Sequence, residues 1–273
     1  MQELIDSLGM KFDYTRELLI VGLIFGRTLP MIFMSPFMAG QMAPPEVKMG
    51  TAVLFTILVW PLARGSMTGA LNMYAMPFLL LMMKETLIGF AIGFASAHIF
   101  YAMEVAGRLI DTARGAAMGE VMVPSTRSRA TAVGNLYHQL LLVFFVLVGG
   151  HHIFIDTFFY SFGQIPLNEA IDLTPGMSPL VVYIARITAD ILMTATILAA
   201  PALAATFITD IVFGILNRVA PQLNAYFMAM PVKAMGGLIM IMVGLPSFLG
   251  RMNVYMETSL VAAKKVIELM MHG

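Results

Sequence analysis

Long apolar stretches separated by short polar tracts dominate the pattern of this 273-residue chain. The stretches lack the two-residue alternation of strands, and five or six are long enough for a helix that crosses a bilayer, which needs about 20 residues. A chain that faces lipid must satisfy its main-chain hydrogen bonds internally, and helices do so. We therefore predict an all-α, multi-helix membrane-type protein, with segments near residues 18–38, 47–62, 76–110, 133–162, 180–219 and from 225 onward.

Prolines and polar tracts predict where these segments end or bend. Pro44 and Pro45 predict a turn after the first segment, and Pro201 predicts a kink in the fifth. The third segment would be about 50 Å long if unbroken, so we expect it to tilt, break or protrude. The last helix is amphipathic, and its polar stripe fits the membrane surface and a partner chain equally well. The stripe consists of Asn253, Glu257, Lys264 and Glu268.

The composition supports the membrane class. Hydrophobic residues make up 59% of the chain and charged residues 12%, whereas soluble domains carry about 25% charged residues. The formal net charge is zero, so no electrostatic argument points to nucleic acid. The chain has no cysteine, which excludes disulfides and thiolate metal sites. The mixed-charge N-terminal tract lacks the apolar core of a cleaved signal peptide.

Ionisable residues inside the apolar segments are the most informative departure from an ordinary membrane pattern. A charge at the membrane centre costs roughly 2.5–3.5 kcal/mol, so such groups usually meet partners or water. For any single residue, pairing inside a helical bundle is the favoured explanation. Together they predict that much of the surface faces protein. They are Arg27, Lys84, Glu85, Asp156, Arg186, Asp190, Asp210 and Lys233.

Prolines and glycine pairs also predict that the helices pack against protein. Irregular backbone at membrane depth is tolerated when it is buried in protein or lines a cavity, and glycines four residues apart let another backbone approach closely. The glycine pairs are Gly22 with Gly26, Gly89 with Gly93, and Gly115 with Gly119. The prolines expected to interrupt or bound helices are Pro30, Pro36, Pro201, Pro221, Pro231 and Pro246.

The sequence contains no motif that indicates catalysis. It contains neither a G-x-x-x-x-G-K-[ST] phosphate loop nor H-E-x-x-H, and nothing resembles a nucleophile elbow. His152 and Asp156 have a spacing that could share a metal, but no further clustered ligand supports them. We therefore predict no catalytic residue, no metal and no cofactor, and a protein that is not an enzyme.

The tract GILNRVAPQLNAYFMAMPVK, residues 214–233, resembles the signature of the type III secretion export-apparatus family SctT and its flagellar counterpart FliR. GRTLPMIFMSPF and GRLIDTARGAAMGEVMVP match the same family, and the resemblance covers nearly the whole chain. The IDTARGA form is closer to the injectisome branch than to the flagellar one.

The resemblance implies that the chain packs in a helical hetero-oligomeric pore with two small hydrophobic proteins, SctR and SctS (FliP and FliQ in flagella). That pore is the entry gate for unfolded export substrates at the bacterial inner membrane, with the assembled complex raised toward the periplasmic side. Residues 1–175 would correspond to the SctR/FliP-like part, and residues 176–273 to an SctS/FliQ-like hairpin with an amphipathic tail. An SctU/FlhB-like switch protein and membrane lipids are the further expected partners; nucleic acid is not.

The resemblance also places a pore plug at residues 113–124. Glycines there allow a bent, movable backbone, and the apolar side chains could close a constriction, while an ordinary surface loop is the alternative. Arg127 and Arg129 are expected to anchor the far end of the plug. The plug residues are Arg114, Gly115, Met118, Gly119, Val121, Met122, Val123 and Pro124.

A second set of residues is expected to serve assembly and structure. Pro221 would end the fifth helix, and Gln222 and Asn224 would bond to the freed backbone. Arg218 would lie at a helix C-terminus, where positive charge is favourable. The full set is Arg27, Pro30, Lys84, Glu85, Asp111, Asp210, Arg218, Pro221, Gln222, Asn224, Pro231 and Lys233.

Three alternatives to an injectisome gate subunit stay open. The first is a flagellar export-gate subunit for axial proteins. The second is an ion-coupled secondary transporter, in which Glu85, Asp156, Asp190 or Asp210 would relay ions; such transporters usually contain inverted repeats, and none is visible. The third is an assembly scaffold that does not line a pore.

Overall fold

A computed structural model describes residues 14–39, 43–67, 74–115, 132–169, 173–222 and 224–271. These residues are almost entirely helical and form no strand, which confirms the all-α prediction. The helices are α1 Tyr14–Met34, α2 Pro36–Ala39, α3 Pro45–Gly65, α4 Ala75–Ala113, α5 Ala132–Leu147, α6 Gly150–Gln164, α7 Leu173–Val219 and α8 Ala225–Met271.

Five of these helices, α1, α3, α4, α7 and α8, contain stretches long and apolar enough to cross a membrane. A sixth span results if the bent pair of α5 and α6 counts as one. This agrees with the five or six segments predicted from hydrophobicity. Helix α4 runs unbroken for 39 residues, about 58 Å. Because the hydrocarbon core of a bilayer is about 30 Å thick, α4 must tilt or protrude instead of breaking.

The predicted apolar segment 133–162 consists of two helices in the structure. Helix α5 ends at Leu147 and α6 begins at Gly150. Between them Gly149 has a φ of 79°, a conformation that glycine adopts without steric cost because it lacks a Cβ. In the sequence this break coincides with the Gly149–Gly150 pair, which is followed by His151 and His152.

Four of the six prolines expected to interrupt or bound helices lie inside continuous helices, so the prediction is wrong for these four. Proline lacks an N–H group, so one carbonyl in the preceding turn loses its helical partner. The helix nevertheless continues on both sides at each of the four positions. They are Pro30 in α1, Pro201 in α7, and Pro231 and Pro246 in α8. As expected, Pro36 begins a helix and Pro221 lies in the turn after α7.

The chain forms two compact units. The first comprises the described residues of 1–97, 151–185 and 259–273, and the second those of 98–150 and 186–258. In the first unit, Leu23 of α1 and Ile88 of α4 are fully buried. In the second, Phe100 of α4 packs edge-on against Phe145 of α5 at 5.6 Å between ring centroids. The division near residue 175 implied by the resemblance stays a prediction.

Glycines bring α1 and α4 close together in the first unit. A Cβ on Gly89 would lie 2.0 Å from the carbonyl oxygen of Arg27, and one on Gly93 would lie 3.0 Å from that of Met31. Only glycine permits this approach, because any side chain would overlap the facing main chain. The close helix approach predicted for Gly89 and Gly93 is thereby confirmed.

Candidate functional site

A buried charged cluster, formed by Arg27, Lys84 and Glu85, lies in the first unit. Arg27 Nε donates to Glu85 Oε2 at 2.5 Å, and Lys84 Nζ lies 2.7 Å from Glu85 Oε1. The side chains of Arg27 and Glu85 are fully buried, and that of Lys84 is 7% exposed. Three of the charges singled out in the sequence therefore pair with one another, as the favoured structural explanation predicts.

Arg27 also holds the C-terminal end of α6. Its Nη1 donates to the carbonyl oxygen of Ser161 at 2.7 Å, and its Nη2 to that of Ile165 at 2.9 Å. The guanidinium carbon lies 4.2 Å from the ring centroid of Phe162. The Ser161 carbonyl also accepts the main-chain N–H of Ile165 at 3.0 Å. Carbonyls at the end of a helix carry partial negative charge, so a buried cation stabilises them.

Lys84 holds the irregular backbone that follows α6. Its Nζ donates to the carbonyl oxygens of Pro166 at 2.8 Å, Leu167 at 3.2 Å and Glu169 at 2.9 Å. An ammonium group has three donors and no acceptor, which suits a ring of carbonyls. Non-helical backbone at membrane depth needs such internal partners.

The buried charged cluster therefore joins α1, α4 and the segment after α6 into one structure. The single carboxylate of Glu85 lies between two cations, whose other hydrogen bonds go to main-chain carbonyls and to the Ser161 hydroxyl. These contacts favour a structural role for Glu85 over the relay of ions that a secondary transporter would require.

A cleft of about 440 Å³ lies in the second unit, between the C-terminal part of α7 and the N-terminal part of α8. We call it the hairpin cleft. Lys233 of α8 forms an ion pair with Asp210 of α7. The hairpin cleft brings together site residues that sequence analysis assigned to separate roles, namely Arg114 and Gly115 of the plug, and Asp210, Asn224 and Lys233 of the assembly set.

Asp111 connects the end of α4 to the start of α5. Its Oδ2 accepts a hydrogen bond from the main-chain N–H of Val133 at 2.8 Å, and its Oδ1 accepts one from Arg114 Nη1 at 3.2 Å. A carboxylate at a helix N-terminus satisfies a free N–H group and interacts favourably with the helix dipole. Nearby, a Cβ on Gly107 would lie 2.1 Å from the Cα of Gly134. These contacts therefore hold the end of α4 next to the start of α5.

Most of the predicted plug falls outside the described residues. Gly115, at its beginning, has a φ of 78°, which agrees with the bent backbone expected there. The other plug residues, together with the two arginines expected to anchor it, lie outside the described part of the chain. These are Met118, Gly119, Val121, Met122, Val123, Pro124, Arg127 and Arg129.

The turn between α7 and α8 contains the remaining assembly residues. Arg218 lies in the last turn of α7, where its charge faces the negative end of the helix dipole. The main-chain carbonyl of Asn224 accepts hydrogen bonds from the N–H groups of Phe227 at 3.1 Å and Met228 at 3.3 Å. Among the described residues, the bonds at this turn are these main-chain bonds and not the side-chain bonds expected from Gln222 and Asn224.

Three of the predicted intramembrane charges belong neither to the buried charged cluster nor to the hairpin cleft. Asp156, Arg186 and Asp190 are exposed, and within the described ranges no ion pair joins them to another residue. His152 and Asp156 likewise belong to no group of three or more metal-binding side chains in that part of the chain. These three side chains are therefore accessible to lipid, water or a partner chain.

Helices long enough to cross a bilayer, internally paired charges and glycine-mediated helix contacts define an all-helical membrane protein. The model of a family described as bacterial export proteins, family 1, matches residues 18–259. The chain belongs to this family.

Relatives come from both flagellar and secretion systems. The chain is 30% identical over 166 residues to the flagellar biosynthetic protein FliR of Bacillus subtilis, covering 61% of this chain and 64% of the relative. It is 30% identical over 162 residues to the secretion system apparatus protein SsaT of Salmonella typhimurium, covering 59% and 61%. Both matches span less than two thirds of the relative's length. The Yop proteins translocation protein T of Yersinia pestis is 28% identical over 221 residues, covering 80% and 83%.

Proposed function

We propose that this chain is a core subunit of a type III secretion export gate. It would form, with SctR-like and SctS-like subunits, the entry pore through which unfolded proteins cross the bacterial inner membrane. The observation that carries this proposal is the family match over residues 18–259, together with relatives from secretion and flagellar systems. An SctU/FlhB-like switch protein is a further proposed partner.

The exposure of α7 and α8 supports a place in a larger assembly. Only 28% and 17% of their most apolar 18-residue stretches are buried, against 50% for α4. Lipid could cover such surfaces, but small residues on them favour helical partners because they let another backbone approach closely. A Cβ added at Gly214, Gly236, Gly244 or Gly250 would meet no described atom within 4 Å.

The site residues fall into two proposed roles. The segment 113–124 would close the pore, and the buried charged cluster would keep α1, α4 and the end of α6 in a fixed arrangement. The assembled complex would be raised toward the periplasmic side of the membrane. In such a complex, a helix as long as α4 and exposed charges such as Asp190 would contact protein.

The same geometry suits a flagellar export gate for axial proteins, which is our second candidate, favoured by the match to FliR of Bacillus subtilis. The injectisome assignment is favoured by the longer match to the Yersinia protein. We assign the chain no catalytic role, because a passive conduit would be energised by other components.

Deletion of the gene in its host tests the proposal. We expect export of type III substrates into the medium to stop, and a plasmid copy of the wild-type chain to restore it. The empty plasmid serves as the control and should not restore export. Unchanged export in the deletion strain, with loss of an ion-driven solute uptake instead, would contradict the proposal and favour a secondary transporter.

A further inference from the structure

Arg114 lies in a notch that Gly237 opens in α8. A Cβ on Gly237 would lie 2.4 Å from Cδ and 2.6 Å from Cγ of Arg114. These distances are far below van der Waals contact, so the arginine stem occupies the place where any other residue would put its side chain. The adjacent Gly236 is different, since a Cβ there would meet no described atom within 4 Å.

Arg114 is fixed at its other end by Asp111. The guanidinium donates to Asp111 Oδ1 at 3.2 Å, and the Arg114 side chain is only 10% exposed. Asp111 is itself held by the N–H of Val133 at the start of α5. The long apolar stem of an arginine can cover a neighbouring surface while its head keeps an ionic partner. One side chain therefore spans from the end of α4 to the N-terminal part of α8.

The contact of Arg114 with Gly237 lies at the point where helix α4 ends. The helical hydrogen bonds of α4 end with Arg114 N–H to the carbonyl of Ile110 at 3.0 Å and Gly115 N–H to that of Thr112 at 3.1 Å. Gly115 then turns the chain with its positive φ. A displacement of Arg114 would therefore move the point at which the chain leaves α4.

We propose that Arg114 is a positioning residue that ties the end of α4 to α8 through the Gly237 notch. The hairpin of α7 and α8 thereby sets where the chain enters the segment that we propose as the pore plug. This inference rests on the proposed function, because the consequence for the pore requires that segment to close it. A subunit that binds the hairpin and shifts α8 would shift the same point.

The contact itself is tested by a double-mutant cycle in the full chain, purified in mild detergent. Gly237→Ala should lower the Tm by roughly 5 °C, because a new Cβ overlaps the arginine stem. In Arg114→Ala the stem is absent, so adding Gly237→Ala to it should cause no further loss. Gly236→Ala is the matched control and should leave the Tm unchanged or slightly raised. Equal effects of Gly237→Ala with and without Arg114 would overturn the proposal.

The consequence for the pore is tested by the conductance of the complex with its SctR-like and SctS-like partners in planar bilayers. Gly237→Ala should raise the ion leak at least tenfold, while Gly236→Ala should leave it at the wild-type level. Deletion of residues 116–123 is the reference for an open pore. If that deletion opens the pore and Gly237→Ala does not, this inference fails and the proposed function stands. If the deletion itself leaves the leak unchanged, the plug function fails, and the inference fails with it.

Discussion

Arg27 and Glu85 form an ion pair with both side chains fully buried, 58 residues apart in sequence and 2.5 Å apart between Nε and Oε2. Removing two charges from water is costly, and mutual attraction alone often does not offset that cost. Here Lys84 and five main-chain carbonyls supply further contacts. The pair therefore acts as the centre of a network that fixes the end of α6 and not as an isolated bridge.

Replacing Arg27 by methionine should destabilise the chain strongly. The change leaves the buried carboxylate of Glu85 with Lys84 alone and removes the Arg27 donors from the carbonyls of Ser161 and Ile165. The Ser161 carbonyl keeps its bond from the Ile165 N–H. Breaking a buried pair by removing one partner costs about 3–5 kcal/mol. We expect a large fall in folded yield and in Tm, measured by thermal unfolding in detergent.

The exposed Arg186 provides the control for this change, because Arg186→Met alters charge and size in the same way at a site with no ion pair among the described residues. Its Tm should stay close to that of the wild type. If Arg27→Met were equally harmless, the buried charged cluster would have no structural role.

Lys84→Met should loosen the segment that follows α6. The methionine keeps most of the apolar stem but removes the donors to the carbonyls of Pro166, Leu167 and Glu169. Deuterium uptake at residues 165–169 should rise in hydrogen-exchange mass spectrometry. Lys264→Met, at an exposed position of α8, should leave uptake there unchanged, and unchanged uptake in both variants would count against the assignment.

Gly89→Ala should disrupt the contact between α1 and α4. The added Cβ would lie 2.0 Å from the main-chain oxygen of Arg27, which cannot rotate away. Overpacking of this kind costs about 1–3 kcal/mol or more. Gly50→Ala in α3, where a Cβ meets nothing within 4 Å, should instead stabilise by about 0.5–1 kcal/mol because alanine favours the helix. Equal Tm values for the two variants would refute the close approach.

Asp111→Ala should weaken the start of α5. It removes the acceptor for the Val133 N–H group and the partner of Arg114. Loss of a capping carboxylate costs about 0.5–2 kcal/mol, so hydrogen exchange at residues 133–136 should accelerate. Thr112→Ala changes the exposed neighbouring residue and should have no such effect. Protection that persists in Asp111→Ala would mean that this cap is dispensable.

Hydrophobicity predicted the helices well, because a span of about 20 apolar residues leaves few other structures possible in lipid. It did not locate the break at Gly149, although the Gly149–Gly150 pair and the two histidines after it mark that turn. The sequence analysis also overestimated how strongly prolines interrupt helices. Pro30 and Pro231 lie within continuous helices, because a helix can lose one hydrogen bond and keep the neighbouring ones.

The pairing of charges could be expected but not assigned from the sequence. Arg27 could in principle pair with any buried acid, and its carbonyl partners lie 134 and 138 residues away. The notch at Gly237 carried no signal either, since Gly236 beside it looks identical in sequence and only the position of Arg114 distinguishes the two. Such relationships depend on tertiary packing, which a local pattern does not encode.

The most direct test of the central claim is the mass of the complex that this chain forms. An affinity-tagged chain would be co-expressed with SctR-like and SctS-like subunits, extracted in mild detergent and weighed by native mass spectrometry. We predict a stable complex that contains several copies of the partner subunits. A lone, monodisperse chain that recruits neither partner would contradict the export-gate account and return Asp190 and the other exposed acids to consideration as transporter residues.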